Sequence, residues 1–317
     1  MSGDGDGSRI LSFAVTDAEK GMTIRSFLRE KLCFSAHQIS RLKFQAQGIR
    51  IDGCKAYVNH VLSAGEVLTV GLTEQVIRRE TEGGRKARVW EEPDSSLART
   101  PLRVLYEDAD LIIVDKPAGI VVHPSPGHYR DTLANQVAAY LGAVGTELDI
   151  RVTGRLDKET SGIVTFARNT ETAAMIQRQR KAGTAVKTYL ALAEGFVESE
   201  SGTVDTPLRG KSARTFYKVM QRTEGPCGEP RTLLACRIEH GRMHQIRMHM
   251  EHIGHPLVGD PLYGAGAYNA QEEREPVEPM GLHAWKLVLL QPFSGDEIRV
   301  EAEAPAWADI KSGEREA

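Results

Sequence analysis

From about residue 100 onward the sequence carries more strand-like than helical segments, and many are separated by turns too short for a crossover connection. VLYEDADLIIVDKP reads as strand, turn and strand. DIRVTGRLD enters as another strand, GIVTFARN leaves as the next, and KTYLALAEGFV and TLLACRIE follow. Three segments read as helices. DTLANQVAAYL has Asp131 as its expected cap and Gly142 as its stop, and TETAAMIQRQRKAG ends at Gly183. HQIRMHMEHIG places Ile246, Met250 and Ile253 at helical spacing ahead of Gly254 and Pro256. Short turns make neighbouring strands antiparallel, and no repeating βαβ pattern is present. The expectation is α+β: a mixed, largely antiparallel sheet with flanking helices over residues 100–305, followed by a C-terminal tail at 306–317.

Upstream, residues 74–99 (TEQVIRRETEGGRKARVWEEPDSSLA) are charged, contain Gly-Gly and Pro, and sustain no periodicity, so they read as a linker. Before it, residues 10–73 form a smaller α+β unit. MTIRSFLREKL carries a helical apolar stripe, and SAHQISRLKF starts a second helix at Ser35. IRIDG alternates up to a turn at Asp52-Gly53, and VLTVGL closes the unit as a strand. Residues 1–9 are mostly Gly, Ser and Asp and read as a disordered tail.

The 317-residue length accommodates one full core and one small extra domain. With 41% apolar and 26% charged residues the composition is that of a globular protein. No 18-residue apolar run exists and the N-terminus has no apolar signal region, so no membrane partner is expected. Cys33, Cys54, Cys227 and Cys236 stand far apart with no CxxC pair, which fits a reduced, cytoplasmic chain without structural zinc.

The net charge of −3 gives no global argument for nucleic acid, yet the charge is unevenly spread. Residues 20–55 hold eight basic residues, Arg25, Arg29, Arg41 and Lys43 among them, against two acidic ones, a local charge of +6. Such a cluster is ordinarily a solvated helical face. Here it lies on two helices followed by a short strand-turn, an order that resembles the ribosomal-protein-type αL RNA-binding module. Phosphates reward such clustering through counterion release.

Asp157 lies where one strand stops and another starts, in GRLDKETSGIVTFARN, and by position alone it is a turn residue. Its context says more. RLDKETSG (155–162) resembles the signature of the RNA pseudouridine synthases that modify large-subunit ribosomal RNA and some transfer RNAs. YEDADLIIVDKPAGIVVHPSPG (106–127), KTYLALAEG (187–195) and GRMHQIRMHMEHIGHPLVGDPLYG (241–264) match the same family in the same order. The resemblance implies that Asp157 is the catalytic Asp, that Arg155 helps displace the target base, that Tyr189 lines the uracil pocket, and that Arg247 pairs with Asp157. One departure is Gly154, where the family usually carries His. The resemblance favours ribosomal RNA over transfer RNA as partner, since many ribosomal members carry the N-terminal module.

Pseudouridine formation breaks the bond from uracil nitrogen to the sugar, turns the base and rejoins it through carbon 5. It calls for no redox cofactor, nucleotide or metal. It needs an ionised carboxylate, which could attack the anomeric carbon, add to the ring or assist glycal formation. A guanidinium lowers a neighbouring carboxyl pKa by roughly 1 to 3 units, and Arg247 is the candidate. Turning the base out costs a few kcal/mol, and stacking on Tyr189 offsets about 1 to 3 kcal/mol of it.

Other signals are weaker. His240, His244, His249, His252 and His255 crowd one stretch, but HExxH is absent and no cysteine is near. RGKS at 209–212 lacks the earlier glycine of a phosphate loop, and HPSPG lacks the first Gly of a nucleophile elbow. Asp157 with Glu159 as a glycosidase pair is disfavoured, because the two are only two residues apart. An inactive RNA-binding protein is the alternative reading, a nucleosidase the more distant one.

Overall fold

The structure, a computed structural model, describes residues 9–45, 47–72, 90–98, 100–142, 144, 150–264 and 278–308. Two sheets organise it. The first belongs to the N-terminal unit: β1 (Arg9–Ala14), β2 (Ile49–Ile51), β3 (Cys54–Lys55) and β4 (Val67–Leu72) in the antiparallel order β1-β4-β2-β3. Against it pack α1 (Ile24–Glu30), capped by the Thr23 hydroxyl, and α2 (Ala36–Leu42), opened by a reciprocal Ser35–Gln38 capping box. Their apolar stripes, Ile24, Phe27 and Leu28 with Ile39 and Leu42, meet Leu68 and Val70 of the sheet in a separate core. Asp52 and Gly53 both take positive φ, 47° and 78°, which is the two-residue turn the sequence announces.

The second sheet has ten strands: β5 (Arg103–Glu107), β6 (Leu111–Lys116), β7 (Arg151–Val152), β8 (Ser161–Ala167), β9 (Val186–Glu194), β10 (Ser201–Val204), β11 (Arg214–Glu224), β12 (Pro230–Glu239), β13 (Leu282–Leu290) and β14 (Glu297–Glu301). The order along it is β10-β11-β12-β9-β13-β8-β6-β5, with β14 on β13 and β7 on β8. Among the described strands every pairing is antiparallel except β13 with β8. At that parallel joint the backbones come close. A Cβ on Gly162, whose φ is +102°, would lie 2.2 Å from the Ala284 carbonyl oxygen. The expected α+β class with a mixed, largely antiparallel sheet is what the chain adopts.

Among the described residues four helices complete this part: α3 (Ser95–Ala98), α4 (Leu133–Tyr140), α5 (Thr170–Ala182) and α6 (Gln245–His252). Asp131 does not cap α4. Thr132 does, while the Asp131 carboxylate bonds His128. Residues 90–98 depart from the expected linker, since Trp90 is buried in the main core and Gln136 donates to the Leu97 and Thr100 carbonyls. The expected tail residues 1–8 and 309–317, linker residues 74–89 and the last module residue, 73, lie outside the described residues. The two units touch along α5. Met175 and Phe293 pack on the N-terminal core, the Gln38 amide donates to Glu171, and Arg178 donates to the Glu30 carbonyl.

Candidate active site

The turn between β7 and β8 carries Asp157, and neighbouring elements hold it at three points. The Arg180 guanidinium of α5 donates to Thr153 O at 2.6 Å. On the other side, the Lys116 ammonium, fully buried at the end of β6, donates to Lys158 O at 2.9 Å, Pro117 O at 2.9 Å and Ile120 O at 2.8 Å. Burial pushes that ammonium down to about 8, against the pull of Glu159, Asp157 and Asp115. At the start of β8, Ser161 Oγ lies 2.8 Å from His283 Nδ1 of β13. Within the turn, Thr160 N–H donates to Asp157 O. The side chain this frame presents is not sealed: Asp157 is 28% exposed.

Facing it is α6. Arg247, 3% exposed, brings Nη1 to 3.7 Å from Asp157 Oδ2. The pairing implied by the family resemblance is therefore present, but the guanidinium fork points elsewhere. Nε and Nη2 each donate at 2.7 Å to Asp260, a fully buried carboxylate that also accepts the N–H groups of Leu262 and Tyr263. Burial drives the Asp260 carboxyl up, yet the hydrogen bonds from Arg247 and these backbone groups outweigh it and hold it below its ordinary value. Burial likewise disfavours the Arg247 charge, and Asp260 and Asp157 together more than restore it.

His244 precedes α6 in the left-handed region, φ 54° and ψ 27°, a conformation that costs free energy for a residue with a Cβ. There its Nε2 stands 4.0 Å from Asp157 Oδ1 and its Nδ1 3.1 Å from the Tyr263 hydroxyl. Arg247 Cζ lies 5.2 Å from the centroid of the same Tyr263 ring. Burial pushes the His244 imidazole below its ordinary value, while Asp157 pulls it up. Asp260, His244 and Tyr263 all fall inside the segment 241–264 that the sequence flagged, but only Arg247 was paired with Asp157, and His244 was weighed only as one of a histidine cluster. The signal available was that a buried guanidinium requires a carboxylate with a full set of hydrogen bonds.

Tyr189, from the middle of β9, is buried beside this group. Burial lifts its phenol to about 12, with Asp157 adding to the rise and Arg180 opposing it. Arg155 is exposed at the turn. Arg25, Arg29 and Lys43 are exposed and Arg41 is half-buried, all on or beside α1 and α2. The crowded histidines have separate partners: His249 meets Thr215 Oγ1 and Thr206 O, and His255 meets Glu194 O. Among the described residues no group of three or more His, Cys, Asp or Glu is placed to hold a metal ion, and no helix is long and apolar enough to cross a membrane.

Residues 110–252, which contain this turn and the whole of its facing helix, match the family model described as RNA pseudouridylate synthase. An uncharacterized RNA pseudouridine synthase of Aquifex aeolicus is 33% identical over 281 residues, covering 80% of this chain and 87% of that protein. Ribosomal large subunit pseudouridine synthase D of Nitrosomonas europaea is 36% identical over 221 residues, covering 65% of this chain and 62% of that protein. Among solved structures, human RNA pseudouridylate synthase domain containing 4 shares the fold, with a TM-score of 0.52 at 22% identity over 67% of this chain and 91% of that one. The chain therefore belongs to the RNA pseudouridine synthases, the family whose reaction is the isomerisation of uridine in RNA.

Proposed function

We propose that this chain converts uridine to pseudouridine in large-subunit ribosomal RNA, with Asp157 as the essential carboxylate and the N-terminal module holding the RNA. The observation that carries the reading is the setting of Asp157. It is partly open to solvent, fixed in a braced turn, and faced by the Nη1 of a guanidinium whose other donors are already committed. A carboxylate so placed stays available to a nucleotide from outside, with a fixed positive charge beside it.

In this reading Arg155 follows the target base as it leaves its stack, and the Tyr189 ring receives it. With its phenol pushed up to about 12, Tyr189 stays neutral and serves as a stacking surface rather than a base. Asp157 acts on the nucleoside while the bond from nitrogen to the sugar breaks. The base turns, carbon 5 bonds to the sugar, the carbon 5 proton leaves to solvent, and the nitrogen released from the sugar takes up a proton. The choice of large-subunit RNA is supported by the relative named for that subunit and by the +6 charge of residues 20–55.

Tritium release from cellular RNA labelled at carbon 5 of its uridines tests this. Wild type should release the label and Asp157→Ala should not. Release by both proteins would remove Asp157 from the chemistry, and release by neither would favour an RNA-binding protein without turnover.

A further inference from the structure

Arg180 has no part in the chemistry above, and its placement is unusual. It stands in the last turn of α5, and its guanidinium extends over the entry to the catalytic turn. Nη1, which donates to Thr153 O at 2.6 Å, lies 3.3 Å from where a Cβ on Gly154 would stand, with Cζ at 3.7 Å. Nη2 lies 3.1 Å from where a Cβ on Gly241 would stand. Two positions without side chains thus leave a slot, and one guanidinium fills it. The slot joins the residue before Arg155 to the turn that leads into His244 and Arg247. The charge it brings is felt at Tyr189 and Lys187 on β9.

Among the described residues the guanidinium has no anion beside it. Arg168, Arg214, Arg222 and Arg231 each pair with a carboxylate. Among the described residues the acceptor of Arg180 is a neutral carbonyl, which fixes the group without cancelling its charge. A planar guanidinium has five N–H donors, so most remain for a ligand, and the oxygens of a phosphate match its fork. The same helix continues the charge in both directions. Lys181 follows in sequence, and Arg178 meets the N-terminal unit at Glu30 O, next to Arg29.

We propose that Arg180 grips a backbone phosphate of the target RNA beside the uridine turned out over Asp157, and that Gly154 and Gly241 are the residues that make room for it. The inference rests on the reading of RNA as substrate. It adds a contact that neither the charged N-terminal unit nor the catalytic turn supplies. The phosphate is held at the turn itself, so the grip sets where along the strand the base is presented.

The test measures ribosomal RNA stripped of protein, both for binding across salt concentrations and for tritium release. Arg180→Gln should raise KM about tenfold, with kcat falling by less than KM rises, and should flatten the log–log salt dependence of binding by about one unit. Arg180→Lys, which keeps the charge, should recover most of the loss. Gly154→Val, which fills the slot, should reproduce the Arg180→Gln defect, and the double variant should be no worse than either alone. An unchanged salt slope in Arg180→Gln overturns the phosphate contact. So does a defect confined to kcat that lysine does not rescue, because that is the signature of a brace for Thr153. Thermal melts of each variant separate misfolding from these outcomes, and Gly154→Val supplies the answer if Arg180→Gln does not fold. Binding reads the contact even where nothing turns over: absent tritium release from wild type would sink the proposed reaction, whereas an unchanged slope would sink this inference alone.

Discussion

Arg247 grips Asp260 with Nε and Nη2, both at 2.7 Å, and so has Nη1 alone to offer Asp157, at 3.7 Å. The stronger of its two ion pairs is the one away from the chemistry. Asp260 is fully buried and fully hydrogen-bonded, and it fixes the guanidinium plane before any substrate arrives. The weaker contact leaves Asp157 partly open to solvent, as the proposed role requires. A rigid pair thus orients a looser one.

Breaking that rigid pair should cost stability as well as turnover. Arg247→Ala leaves a buried carboxylate without its cation, and Asp260→Ala leaves a buried cation short of its main anion, so each should destabilise by about 3–5 kcal/mol. Replacing both together, Arg247→Met with Asp260→Leu, should recover most of the stability but none of the activity. Urea unfolding beside tritium release checks both halves. Activity in the double variant would show that Asp157 needs no guanidinium.

The same pair predicts a pH dependence of defined sign. The Asp260 carboxyl is held below its ordinary value of 3.8, so the folded state binds its proton less readily than the unfolded one. The stability this contributes is complete at neutral pH and disappears as pH falls below that ordinary value. Asp260→Asn should be less stable than wild type at pH 7, and the gap should narrow at acid pH. Denaturant melts at pH 7 and pH 3 give the comparison, and a gap that stays constant would refute the assignment.

Tyr189 separates stacking from proton transfer. Because burial keeps its phenol neutral, Tyr189→Phe should retain more turnover than Tyr189→Leu, with the leucine variant at least about tenfold worse in kcat/KM, in line with the loss of 1 to 3 kcal/mol of stacking. No alkaline limb from this residue should appear below about pH 10. Equal damage from phenylalanine and leucine would place the hydroxyl in the chemistry.

The N-terminal unit predicts a salt effect and a docking effect. Deleting residues 1–73 should weaken RNA binding and flatten its salt dependence, by the equivalent of about four to six phosphate contacts, while leaving Asp157 chemistry measurable at high RNA concentration. It should also bare Met175 and Phe293, which now pack on that unit's core. Met175→Glu in the full chain should loosen the docking without touching the basic residues. A slope unchanged by the deletion would identify the charge cluster as a solvated face.

Much of this architecture could be read from residue pattern, because its signals are local. Ser35 caps α2, Gly183 ends α5 with a φ of 74°, and the alternation up to Asp52-Gly53 makes a hairpin. Contacts between distant residues were not legible. β1 pairs with β4 almost sixty residues later, so RILSFA gave no warning of its strand. Trp90 and Leu97 sit among charges and proline, and their burial, Trp90's in the main core, shows only in the folded chain. Asp131 has the chemistry of a cap but spends it on His128, leaving Thr132 to do the work. At the site, Asp260 lies just before PLYG and reads as a turn residue. It is one, accepting the next N–H groups, and the same oxygens also hold Arg247.

The parallel joint between β8 and β13 brings Ser161 against His283, 122 residues further along the chain. Synthesis at 5–20 residues per second separates those two residues by roughly 6 to 24 seconds. During that interval β6 and β8 can pair, but the strand that closes the sheet behind the catalytic turn does not yet exist. On the proposed role of Asp157, a nascent chain holds that carboxylate in a turn without its backing strand until β13 has been made.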